Sequence, residues 1–298
     1  MRKSSFAFLA GIFVIFVFMI PSSSLGISEE EIRAVMREIN ELLEDMGENV
    51  RLEVVEYYTA WNEMGQEVFF NNRSKQLKSH FVPYDADRFG VSDIYWLSDQ
   101  VDGTAAGLTQ TQTQDAVDRA MATWDSVNCS TIPLVKLPDQ NFDWGYTQSL
   151  VGMGGFPGWI ADLTHAGWLP GRFFELTLGP GASADVLGAT FTFIWAGPTD
   201  IDNNGKYDVA FRETYYNNEF PWGIDTDWPI DVESIVLHET GHLLSQGHFG
   251  KLFRTKTNDK LHFAPRSVMN SGYTGIQQVL TGSDIGGHCS IWASWPNE

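Results

Sequence analysis

The stretch that most constrains this chain is DVESIVLHETGHLLSQGHF, Asp231 to Phe249, with His238, Glu239, His242 and His248 in the order H-E-x-x-H-x-x-x-x-x-H. Residues four apart stack on one face of an α-helix, so His238 and His242 can present both imidazoles to one metal ion. Glu239 sits roughly 100° further round the helix, near enough to hold a water beside that ion without being a ligand. Three neutral imidazoles leave the fourth tetrahedral position of zinc open, as in catalytic rather than structural sites. Zinc lowers the pKa of bound water toward about 7, and a carboxylate then takes its proton. The chain has only seven histidines, and three of them fall in this one stretch. A buried helix carrying histidines by chance is the bland alternative, and the register of the glutamate disfavours it.

Asp231 is the expected N-cap, following Pro229, and Val232, Ile235, Val236, Leu237, Leu243 and Leu244 cover most of the helix circumference. A helix apolar on nearly every side is expected to be buried, which holds its histidines rigidly. The segment resembles the zinc signature of the metzincin metalloproteases, H-E-x-x-H-x-x-G-x-x-H followed by a Met-turn. The downstream Ser267-Val268-Met269-Asn270-Ser271-Gly272-Tyr273 resembles that turn, and methionine with tyrosine four residues on is most similar to the matrixin branch. The resemblance implies zinc held by His238, His242 and His248, Glu239 as general base, Met269 as a floor under the imidazoles, and Tyr273 as a packing or pocket-wall residue. It also implies an α+β catalytic domain over 81–298, with a twisted mixed β-sheet, a buried zinc-binding helix and a Met-turn. One residue departs from the pattern. The family glycine, which lets the chain turn back through positive φ, is Ser245 here, and Gly247 is the residue expected to take over the reversal.

The family further implies an edge strand that pairs with extended substrate, a role open to 186–195 or to the Tyr215-Tyr216 region. Val186 to Trp195, VLGATFTFIW, is the strongest strand signal in the chain. Upstream, Ile94 to Leu97 centres a strand, Gly103 to Gln112 reads as a polar connector, Asp115 to Val127 as a helix and Thr131 to Leu137 as a short strand. Phe142 to Pro180 reads as a Gly- and Trp-rich loop region. Its Asp162-Leu163-Thr164-His165-Ala166 is similar to a matrixin structural-zinc loop, but the companion ligands are lacking and His165 is read as a hydrogen-bonded residue outside any metal set. His262 and His288 have no partner spacing and are not read as ligands.

Asp200, Asp202, Asn204 and Asp208 fall at positions 1, 3, 5 and 9 of a calcium-loop pattern with Gly205 at 6, while Phe211 stands where glutamate would close it. A calcium-stabilised loop and a plain Asp/Asn/Gly turn both fit.

The N-terminus reads as a secretory signal peptide over 1–26, with Arg2-Lys3, an apolar run from Phe6 to Ile20 and Ser24-Leu25-Gly26. That run falls short of the roughly 20 residues that cross a bilayer, so no stable anchor is expected after cleavage. The mature protein is expected to be secreted, or periplasmic in a host with an outer membrane. Cys129 and Cys289 fit an exported chain with one disulfide, or two buried thiols. Residues 27–80 read as an N-terminal extension: an amphipathic helix from Glu29 to Met46 capped by Ser28 and ended by Gly47, a strand-like region with a turn near Asn62-Gly65, and a linker at Arg73 to Lys78. It is either an inhibitory pro-segment or a permanently packed helix and hairpin. With no cysteine in it, a cysteine-switch is excluded.

A net charge of -19 argues against nucleic acid as a partner. The expected function is a secreted zinc endopeptidase acting on protein or peptide, with a zinc hydrolase of non-peptide amides or esters and a catalytically silent binding protein as alternatives.

Overall fold

In the computed structural model the described residues are 27–60, 64–226, 229–256 and 261–297. The expected signal peptide and Asn62 of the expected turn lie outside them. The chain begins with α1 (Glu29–Met46), whose N-cap Ser28 Oγ accepts from the Glu31 N–H at 3.2 Å, and whose C-cap Gly47 takes φ 75°. Then come β1 (Val50–Thr59), β2 (Glu67–Phe69), α2 (Asn72–Leu77), β3 (Ser79–His80) and β4 (Ile94–Ser98). Next are α3 (Gln110–Asp125), β5 (Leu134–Lys136), α4 (Tyr146–Leu150), β6 (Leu163–Leu169), α5 (Gly171–Leu178) and α6 (Ala182–Asp185). The last part holds β7 (Val186–Trp195), β8 (Tyr207–Asn217), β9 (Trp222–Gly223), β10 (Ile230–Asp231), α7 (Val232–Leu243), β11 (Lys251–Arg254), β12 (Leu261–Ala264) and α8 (Gly282–Trp292).

Eight strands form one mixed sheet in the order β2-β1-β7-β8-β6-β4-β5, with β3 paired to β8. Neighbours among β5, β4, β6 and β8 run parallel, while β7 is antiparallel to β8, β1 to β7 and β2 to β1. The first strand of the N-terminal segment therefore lies inside the same sheet as the rest of the chain. Both faces are covered, which is why β7 is buried at every residue and reads as an unbroken apolar run. One face packs against α3, α7 and α8 through Met121, Trp124, Val236 and Trp292. The other packs against α1 and α5 through Met36, Leu43, Phe173 and Phe174, which meet Tyr57, Phe191 and Tyr215 of the sheet. Each such side chain contributes about 1.5–3 kcal/mol when fully buried.

Polar latches fix the helical layer around α7. Trp124 Nε1 of α3 donates to Leu237 O at 2.9 Å, and Trp292 Nε1 of α8 donates to Leu244 O at 2.9 Å. The Cys129–Cys289 disulfide joins the end of α3 to α8. The buried pair Arg88–Asp162, 2.9 Å apart, secures the start of β6.

Three expectations need correction. Arg73 to Lys78 is not a linker: Asn71 caps α2 by accepting from the Arg73 and Ser74 N–H groups. The polar connector ends early, because Thr109 and Gln112 form a capping box that starts α3 at Gln110. Phe142 to Pro180 is not a loop but contains α4, β6 and α5, with His165 on β6.

His165 is buried, its Nδ1 hydrogen-bonded to the Tyr216 hydroxyl at 2.8 Å, and burial pushes its pKa down to about 3. A folded pKa below the unfolded value means stability is present above about pH 6.5 and lost as pH falls toward 3. Between pH 7 and pH 5 this amounts to about 2 kcal/mol. His165→Gln should flatten the pH dependence of the urea midpoint by that amount over this interval; equal slopes would contradict a neutral buried His165.

Candidate metal centre

Helix α7 starts where its sequence directs: Asp231 Oδ2 accepts from the Ser234 N–H at 2.9 Å. All twelve of its residues are buried. His238 and His242 lie on one face, and each is held from behind. His238 Nδ1 is 2.7 Å from Val268 O, and His242 Nδ1 is 2.7 Å from Gln246 O and 3.1 Å from Glu56 Oε1. A carbonyl only accepts, so in both rings Nδ1 carries a proton and Nε2 is the atom left to face a metal ion.

The third histidine reaches the same point by a route the sequence leaves open. The helix ends at Leu244, and Ser245 itself takes φ 70°, the left-handed conformation of the absent glycine. Gly247 does not make the reversal, contrary to expectation: it is not among the positive-φ residues. Its missing Cβ instead leaves room for the Glu67 carboxylate, which accepts from the His248 N–H. Ser245 is held in place by Arg212, whose Nη1 donates to Ser245 Oγ at 2.5 Å and to Leu243 O at 3.0 Å.

The Nε2 atoms of His238 and His248 lie 3.0 and 3.2 Å from that of His242. Zn–N bonds of 2.0–2.1 Å in tetrahedral geometry put ligand nitrogens roughly 3.3 Å apart, so the donor set fits a zinc ion closely. Nitrogens at this separation have room for one proton or one cation between them, and a metal ion would take all three lone pairs at once. Burial drives the His238 and His248 pKa values well below the ordinary range. Burial acts the same way on His242, but the Glu56, Glu239 and Glu67 carboxylates together outweigh it and raise that ring to about 9, so without a metal its Nε2 also carries a proton, shared with the neighbouring imidazole nitrogens. The cluster is thus a buried place that attracts positive charge.

Glu239 is fully buried beside the histidines. Its Oε2 accepts from Thr190 Oγ1 at 2.7 Å, Oε1 has no hydrogen-bond partner among the described residues, and burial raises its pKa to about 7. Gly188 on β7 leaves room for it, since a Cβ there would lie 2.7 Å from Oε1. Met269, 1% exposed, packs against Gly241 of α7, where any Cβ would run into the thioether. Asp284 fixes this turn from below: Oδ1 accepts from the Met269 N–H at 3.1 Å and from the Ser267 hydroxyl, and Oδ2 from the Val268 N–H at 3.1 Å. Tyr273 packs against the core as expected, and its hydroxyl accepts from the Asp231 N–H at 3.2 Å.

The remaining candidates separate clearly. His262 stacks on Phe253 of the β11–β12 hairpin, and His288 lies in the core beside Trp124, both away from the three histidines. Asp200, Asp202 and Asp208 come together, with carboxylate oxygens within 4.8 Å of one another. Asn204 forms the turn between them, its N–H donating to Asp200 Oδ1 and its Nδ2 to Asp202 Oδ2. Asp208 is 1% exposed, and its Oδ1 has no hydrogen-bond partner among the described residues. A cavity of about 310 Å³ lies next to the centre, lined by Glu56, Glu67, Arg212, Ser245 and Met269 but by none of the three histidines.

Sequence reasoning misses Glu56, Glu67, Gly188, Thr190, Arg212 and Asp284. Of these only Asp284 carries a local signal, since Thr281-x-x-Asp284 is a capping pattern. Ser245 yields a direct test. A β-branched residue at positive φ is strained, so Ser245→Val should cost about 2 kcal/mol in urea unfolding while Ser245→Gly stays within about 1 kcal/mol of wild type. An unaffected Ser245→Val chain would contradict this helix exit.

No known protein-family model matches this chain, and no curated protein matches it, so the functional reading rests on the residues and geometry of this centre.

Proposed function

We propose that the chain is an exported zinc endopeptidase of metzincin type. The observation that carries the reading is the convergence of three Nε2 atoms, two of them with Nδ1 tied to a backbone carbonyl, beside a buried carboxylate with one free oxygen. When bound, zinc supplies an electrophile that polarises a carbonyl and acidifies water. His238, His242 and His248 hold the ion. Thr190 fixes Glu239 through Oε2 and leaves Oε1 to take the proton from the attacking water and pass it to the leaving amine. The free oxygen favours a hydrolase over a silent binding fold, which has no use for a base there. The disulfide supports a location outside the reducing cytosol. Among the described residues no helix is long and apolar enough to cross a membrane.

Metal analysis of purified protein should find one zinc per chain, held by wild type and by Glu239→Ala. In His248→Ala binding should weaken by more than the 10–100-fold that loss of an outer partner costs. Peptide hydrolysis by an active form of the chain that survives the further change Glu239→Ala would contradict the assigned base.

We also infer a calcium site at Asp200, Asp202 and Asp208. Hard oxygen donors at this spacing suit calcium, and Asp208 presents a buried oxygen that lacks a partner. Burial, with Asp202 and Asp200 adding to it, raises the Asp208 pKa to about 7, a cost that a bound cation removes. Millimolar calcium should raise the Tm by about 5 °C, and Asp208→Asn should abolish the rise; an unchanged Tm in wild type would leave the loop a plain turn.

A further inference from the structure

Neither of the two regions open to the role of a free substrate edge is free: β8, with Tyr215 and Tyr216, lies between β7 and β6, and β7 has a neighbour on its other side as well. Strand β1 lies along it, antiparallel, with Glu56 opposite Thr190, Tyr57 opposite Ala189 and Tyr58 opposite Gly188. Thr190 and Gly188 are the two β7 residues that touch Glu239. Residues 56–58 therefore pass directly across the base and the histidines.

Alternation along the strand aims every second side chain at the centre. The Tyr58 ring stacks on the His238 imidazole with centroids 3.8 Å apart and planes 16° from parallel. Glu56 touches His242 from the Nδ1 side, away from Nε2. Tyr57 points the other way, into the core shared with α1 and α5. Beyond Tyr58 the strand enters a slot with a second wall: Thr59 bridges Gly272 in parallel, the Tyr273 N–H donates to Thr59 O at 3.0 Å, and the Gly65 N–H donates to Ser271 O at 2.6 Å. With β1 in place His238, Glu239 and His242 have no exposure at all, and His248 alone is partly open.

Building on the peptidase reading above, we propose that Val54–Thr59 is a built-in pseudo-substrate. It occupies the path of an extended peptide between β7 and the segment after Met269, so the full chain is latent and the vacated site takes peptides with a large aromatic side chain against His238. The block comes from strand pairing over the base and the histidines, and Glu56, the β1 carboxylate that touches a histidine, meets it on the Nδ1 side. Tyr58 shows which side chain the pocket accepts. The peptide bond of residues 57 and 58 stays intact because Tyr57 is anchored in the core and holds the strand fixed over the base. The strap is also weaker than an apolar strand would be. Glu53 and Glu56 are buried carboxylates on β1, and Glu53 Oε1 lacks a partner among the described residues, at a cost in burial that favours release.

The test uses zinc-loaded full chain, the strand-breaking variant Val55→Pro and the milder Tyr58→Ala. Each is checked for secondary structure and zinc content. The probe is a fluorescent synthetic peptide copying residues 52–60, and a second copy with alanine in place of its Tyr58. Wild type should bind neither peptide. Both variants should bind the first, at least about tenfold more tightly than the second, and should cleave reporter peptides with an aromatic residue just after the cut while wild type does not. Binding without cleavage in the variants would uphold the pseudo-substrate and overturn the peptidase reading. Two results would overturn the pseudo-substrate: wild type that binds and cleaves as well as the variants, or folded, zinc-loaded variants that bind neither peptide.

Discussion

The structure depends on two hydrogen bonds made by the backs of imidazole rings, His238 to Val268 O and His242 to Gln246 O. They fix a proton on Nδ1, and so turn the other nitrogens of both rings toward one point. Each acceptor sits in a segment that is itself held. Val268 belongs to a turn pinned by Asp284 at the start of α8, and Gln246 follows the left-handed Ser245 that Arg212 clamps. The latches from Trp124 and Trp292 and the disulfide hold α3, α7 and α8 as one layer. Disturbing that layer loosens the carbonyls first and the histidines with them.

The second organising constraint is the sheet. A strand with both neighbours in place has no spare backbone groups, and β7 has β8 on one side and β1 on the other. The same pairing that completes the sheet also covers the centre. Buried carboxylates are rare in such a position, because burial without full pairing is costly. Glu56, Glu67 and Glu239 near the histidines give that region its negative field, which favours a cation at the centre, and the buried Glu56 weakens the strand covering it. Stability and access oppose one another in the same few residues.

Much of this was legible in the sequence where the chemistry is local. The His238–His242 spacing, the Asp231 cap, the Ser28 cap and Gly47 at the end of α1 depend on neighbours within one helix turn, and those readings hold. The Cys129–Cys289 pair was one of two open readings. What was not legible depends on contacts far along the chain. Nothing near Glu56 shows that it will meet His242, and nothing in VLGATFTFIW tells a free edge from an inner strand, since both are apolar throughout when covered on two faces. His165 makes the hydrogen bond read for it, to Tyr216, but its strand was hidden in a Gly- and Trp-rich stretch that resembles a loop. Ser245 shows a third kind of limit. Positive φ at a non-glycine residue is unfavourable alone, and it is held here by an arginine thirty-three positions earlier.

The central claim is that three imidazole nitrogens close on one zinc ion. X-ray absorption at the zinc edge on the metal-loaded protein tests it directly. The account predicts a first shell of nitrogen and oxygen at about 2.0–2.1 Å, with outer-shell scattering from three imidazoles and no sulfur. A shell with fewer than three imidazoles, or one containing sulfur at about 2.3 Å, would contradict it.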